Sequence, residues 1–143
     1  MKLLKNKVLM VGFLTMAIIA TAIPAFADND NIPFTFRLQT GGANSYVSDS
    51  AARYRQTTNT SNPWKVKVTE QTGDSDYTAT YWIARTGEVG HPQVSDAHNV
   101  KSGSGEHYYN ARATASKVHV VLGADNNNNV ASTVKGVWDE ETY

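Results

Sequence analysis

Cysteine is absent from all 143 residues. No disulfide framework can therefore brace the fold, and apolar burial has to hold it. Thiol nucleophiles go with it, and so does cysteine-dependent peptidase or transpeptidase chemistry. An acylated lipoprotein anchor is excluded as well, because its lipid would need a cysteine after a leader. Long apolar runs are equally scarce. The one uncharged stretch, Val8 to Ala22, falls short of the roughly 20 residues that a spanning helix requires.

That stretch follows a basic start at Lys2, Lys5 and Lys7 and precedes Pro24 and the small-residue box Ala25-Phe26-Ala27. Basic start, apolar middle and small-residue box together read as a secretory signal peptide over residues 1–27, cleaved after Ala27. Residues 28–143 are then the working part, beginning at Asp28. Losing the three leader lysines leaves ten basic against thirteen acidic residues, a formal charge of minus three. A mildly acidic chain offers no basic footprint for nucleic acid or anionic lipid. About 116 residues suit one domain with a single core. The polar C-terminal segment Trp138-Asp139-Glu140-Glu141-Thr142-Tyr143 lacks an apolar sorting tail with a following basic cluster, so free release without stable membrane insertion is expected. Export without cysteines fits a Gram-positive cell better than an oxidising compartment.

Helix-period stretches are missing too, and period-two alternation takes their place. Phe34, Phe36 and Leu38 alternate with Thr35 and Arg37; Trp64, Val66 and Val68 alternate with Lys65 and Lys67. The second run predicts a half-buried strand with a wet lysine face. Tyr77, Ala79, Tyr81 and Ile83 share one side of the next run, with Thr78, Thr80 and Trp82 on the other. Turn chemistry at residues 71–75 makes these two runs read as a β-hairpin. Further strands are expected over His107–Arg112, Val118–Leu122 and Val130–Trp138, with shorter ones at Tyr46, Arg53–Gln56 and Ala97–Lys101. A helical turn fits only between Ala111 and Ser116. No repeat or linker divides the chain. Strand-sized spacing of turn signals predicts an all-β fold, an antiparallel β-sandwich or sandwich-like barrel.

Motifs for catalysis are thin. Asp125-Asn126-Asn127-Asn128-Asn129 opens like a calcium loop, but Val130 stands where its glycine belongs and Gly136 where its glutamate belongs. A capped asparagine turn accounts for it. His107 and His119 are expected on neighbouring strands, yet neither H-x-H nor H-E-x-x-H spacing occurs among the four histidines. Ser102-Gly103-Ser104-Gly105 has glycines without the G-x-S-x-G spacing of a nucleophile elbow. No enzyme activity, cofactor or metal site is expected.

Aromatic rings are the more informative presence. Trp82 lies among threonines, Tyr54 lies between Arg53 and Arg55, and one of the adjacent Tyr108 and Tyr109 must point outward from its strand. Flat rings flanked by hydrogen-bonding groups hold sugar faces or anchor protein interfaces. Trp82, Tyr54 and Tyr108 are therefore the candidate ligand-binding residues, with cell-wall glycan or an envelope protein as the partner class.

Asp28-Asn29-Asp30, Tyr54-Arg55-Gln56-Thr57-Thr58-Asn59, Asn62-Pro63-Trp64-Lys65-Val66, Tyr81-Trp82-Ile83-Ala84 and Trp138-Asp139-Glu140-Glu141, behind a signal peptide, form a recognisable set. The chain resembles a family of short secreted Firmicute proteins catalogued as domain of unknown function 2712. That resemblance spans nearly all of the mature chain and implies a Gram-positive exported protein without an established activity, so it assigns no functional residue. The size, composition and lack of cysteine also resemble lactococcin 972-type bacteriocins, which makes a bacteriocin-like secreted effector the alternative to a non-catalytic envelope-binding module. An extracellular enzyme is the third possibility, and it would need histidines or carboxylates converging in one pocket.

Overall fold

In the computed structural model, residues 30–73 and 76–142 are described. The expected leader and its cleavage point lie outside them. Among the described residues, nine strands form two antiparallel sheets. The first sheet has the order β1 (Ile32–Leu38), β9 (Ser132–Asp139), β4 (Trp64–Gln71), β7 (Glu106–Tyr109). In the second, β8 (Val118–Asn126) pairs with β5 (Thr78–Arg85) on one side and with β2 (Ser45–Tyr46) and β3 (Arg53–Arg55) on the other. Strand β6 (His98–Lys101) closes that sheet along β5.

The alternating side chains explain the packing. Phe34, Phe36, Leu38, Trp64, Val66, Val68, Val134 and Trp138 point inward from the first sheet and meet Ala79, Tyr81, Ile83, Val100, Val120 and Leu122 from the second. Burying one such large side chain contributes roughly 1.5–3 kcal/mol, so this single seam carries the fold in place of disulfides. The expected β-sandwich is what forms. The expected short helical turn is a 3-10 turn at Ala113–Ala115, but it does not stand alone, since Asp49–Ala51 forms another, begun by the Ser48 hydroxyl accepting the Ser50 N–H.

Three expectations need correction. β4 and β5 are not a hairpin, since they sit in opposite sheets. Both strands present bulky apolar faces, and these bury against each other across the sandwich instead of pairing edge to edge. His107 on β7 and His119 on β8 are likewise in different sheets and cannot act as neighbouring ligands. Nor is the lysine face of β4 wet throughout: Lys65 is fully buried, and only Lys67 reaches solvent.

A second, smaller apolar cluster lies on the far side of the second sheet. Trp82, Ala84 and Val121 are covered there by Tyr46, Val47 and Ala52, carried by β2 and the segment after it. The Trp82 indole lies over Gly123, where a Cβ would come within 2.5 Å of the ring. Glycine is required for that close approach.

Candidate functional site

The three candidate rings do not share a surface. Tyr108 and Tyr54 are exposed, at 49% and 44%, while Trp82 is only 2% exposed. Trp82 therefore offers no ring to a ligand, because the Tyr46 ring packs edge-on against it at 5.9 Å. Its threonine-flanked strand face suggested exposure, but a segment distant in sequence folds over it. Tyr54 stands opposite His119 on the outer face of the second sheet, with the rings 5.0 Å apart. Tyr108 belongs to the outer face of the first sheet, so the two exposed tyrosines look out on opposite sides.

Tyr108 has the more elaborate setting. Strand pairing aligns it with Lys65, and Lys65 with Asp139, so one row crosses β7, β4 and β9 on the outer face. The Tyr108 hydroxyl donates to Glu106 Oε2 at 2.7 Å. That bond holds the Glu106 carboxyl below its usual range and raises the Tyr108 phenol. Lys67 approaches Glu106 at 3.9 Å. Lys65 Nζ donates to Asn31 Oδ1 at 3.0 Å. A half-exposed ring fixed by its own hydroxyl is thus bordered by a carboxylate, two lysines and a buried aspartate.

On the inner side of the same strand, Tyr109 stacks on His98 with centroids 3.7 Å apart and planes parallel within 1°. His107 continues the stack at 6.1 Å. Burial lowers the His98 pKa, against the pull of Asp96. These rings join the facing edges of the two sheets and brace the strand that carries Tyr108.

Beyond the row, the chain end is drawn inward. Arg55, 1% exposed, donates to the backbone carbonyls of Glu140 and Asn62. Glu141, 2% exposed, accepts the backbone N–H groups of Gln56 at 3.1 Å and Thr57 at 2.9 Å. Asp139 Oδ1 accepts the Glu141 N–H at 3.1 Å. Asp139 Oδ2 and Glu140 Oε2 are buried without hydrogen-bond partners among the described residues. Burial pushes the Asp139 carboxyl up to about 6. Burial, reinforced by Asp139 and Glu141 nearby, pushes Glu140 up to about 7.

Residues 21–142 match the family described as Protein of unknown function (DUF2712). The chain belongs to that family. No curated protein and no solved structure matches it.

Two segments that carry the resemblance now acquire a physical meaning in this member. Tyr54-Arg55-Gln56-Thr57 and Trp138-Asp139-Glu140-Glu141 lie far apart in sequence and grip each other through Arg55 and Glu141. Their polar residues form a clasp in the interior, which sequence reading assigned to a polar tail. The only available signal was the density of charge around two apolar strands, and charge density alone does not show which acid meets which arginine.

The remaining candidates resolve simply. Side chains of the asparagine run bind the backbone and one another: Asn126 Nδ2 donates to Val130 O at 2.8 Å, Asn128 Nδ2 donates to Thr78 O at 2.9 Å, and Asn126 Oδ1 accepts the Asn128 N–H at 2.9 Å. That is a capped turn. Ser104 Oγ lies 2.8 Å from His107 Nε2. Among the described residues, no group of three or more histidines or acids is arranged to hold a metal ion, and no helix is long and apolar enough to cross a membrane.

Proposed function

We propose that this DUF2712 member is an exported, non-catalytic binding domain of the cell envelope, and that Tyr108 is the ring on which it seats a glycan. The observation that carries the reading is the fixed, half-exposed Tyr108 ring in a border of hydrogen-bonding charges. A sugar presents an apolar C–H face ringed by hydroxyls, and it gains from a flat aromatic surface beneath with polar groups at the rim. Holding the ring before the ligand arrives reduces the ordering cost of binding. Glu106 and Lys67 supply an acceptor and a donor at the rim, and the buried Lys65 and Asp139 keep the strand register that aims the ring.

Export rests on the basic, apolar and small-residue sequence of the leader. N-terminal sequencing of the secreted protein is expected to begin at Asp28. The binding role is tested by incubating residues 28–143 with purified cell-wall sacculi and a glycan array, beside a Tyr108→Ala variant. Retention of the wild type with at least a tenfold loss for the variant is the expected result. Blank results for both assays, or equal retention of variant and wild type, would overturn it.

A further inference from the structure

At the opposite end of the first sheet, a cavity of about 210 Å³ opens between β1, β9 and the residue after β4, lined by Arg37, Thr72, Ala131, Ser132 and Thr133. We infer that this cavity is a second binding site, for a phosphate-type oxyanion. Its chemistry is that of one cation and hydroxyl groups. Arg37 is exposed and makes no hydrogen bond or ion pair among the described residues. A guanidinium presents several N–H donors in a planar fork suited to two anion oxygens. Thr72 Oγ1 accepts the Thr133 N–H at 2.8 Å, which leaves its own O–H to donate elsewhere. Ser132 contributes to the lining, but its side chain, 2% exposed and without a partner, turns inward on the face shared by Leu38 and Val134.

The ligand therefore meets the outward row, in which Arg37 pairs with Thr133 and Thr72 bonds the same residue. No carboxylate is among the lining residues that are described. The nearest basic group on the same outer face, Lys135, is already engaged by Glu70 at 2.7 Å, leaving Arg37 as the charge for the ligand. Two outward hydroxyls, those of Thr72 and Thr133, and a guanidinium around one cavity match the several acceptor oxygens of a tetrahedral anion. The ligand is a phosphate group, either free or as the diester linkage of a polymer.

The test follows backbone amide and Arg37 side-chain NMR signals of residues 28–143 during titration with inorganic phosphate. Chloride at matched ionic strength is the control, and dimethyl phosphate is the diester probe. Saturable shifts at Thr72, Ser132 and Thr133 with phosphate are expected, weakened at least tenfold in R37Q and unchanged in K135Q and Y108A. Equal saturation with dimethyl phosphate assigns the site to diesters, whereas binding of inorganic phosphate alone assigns it to the free ion; either supports the site. Linear shifts, shifts matched by chloride, or an R37Q titration identical to wild type would overturn it. Because Tyr108 lies at the other end of the sheet, this outcome is independent of whether glycan binds there.

Discussion

The two ends of the first sheet differ in whether their cations are engaged, although each holds buried polar atoms without partners, Asp139 Oδ2 and Glu140 Oε2 at one and Ser132 Oγ at the other. At the end where β9 finishes, charges are buried and largely paired: Arg55 on backbone carbonyls, Glu141 on backbone N–H groups, Lys65 on Asn31. Where β9 begins, Arg37 stands unengaged beside orphaned Ser132 and Gln71 side chains. A buried cation bound to carbonyls supports structure, and an exposed, unengaged guanidinium is available to a ligand. The difference teaches that a polar residue in this small sandwich has to be read by what satisfies it, since burial alone describes both Glu141 and Ser132.

The contrast can be broken most forcefully at Arg55. Arg55→Met keeps much of the volume but strips the donors from the carbonyls of Glu140 and Asn62, and it leaves the clasp acids facing one another. A loss of about 3–5 kcal/mol is expected from removing one side of a buried charged network, measured by urea unfolding. Glu141→Ala exposes the Gln56 and Thr57 N–H groups without an acceptor, and about 2–3 kcal/mol should go with it; hydrogen exchange at those two amides should accelerate in parallel. At the other end the sign reverses. Ser132→Ala removes a hydroxyl that nothing satisfies, so stability should hold or rise by up to about 1 kcal/mol. A loss beyond that would mean Ser132 is paired after all. Smallest of all is Tyr108→Ala, an exposed site whose stability should stay within about 0.5 kcal/mol in the same unfolding assay, although it shares a strand row with the buried Lys65 and Asp139.

Much of the fold was legible in the sequence because strand alternation reports directly on which side of a residue is dry. Phe34, Phe36 and Leu38, then Trp64, Val66 and Val68, then Ala79, Tyr81 and Ile83 all entered the core as their spacing predicts. Alternation does not say which strands are neighbours. β4 and β5 present the same pattern whether paired in one sheet or stacked across two, and the stacked arrangement is the one adopted. Individual rings were less legible for a related reason. Tyr108 and Trp82 both sit on outward strand faces, but Tyr46, Val47 and Ala52 cover Trp82, and only the three-dimensional path of the chain reveals the cover. Lys65 and Glu141 were hardest, since a charged side chain carries no local mark of burial when its partners come from 34 and 84 or more residues away.

Stability against pH tests the closed end most directly. Asp139 and Glu140 have folded pKa values of about 6 and about 7, raised from 3.8 and 4.5. Both therefore bind protons more tightly in the folded state than in the unfolded chain. Folding gains from protonation are fully present below the unfolded pKa values and are lost as pH rises through the folded ones. Urea unfolding of residues 28–143 should accordingly show a stability at pH 5 about 2–4 kcal/mol above that at pH 8, after allowance for solvent screening. In an Asp139→Asn, Glu140→Gln double variant that difference should largely vanish. Equal stability at the two pH values, or a wild type more stable at pH 8, would contradict the buried carboxyl clasp.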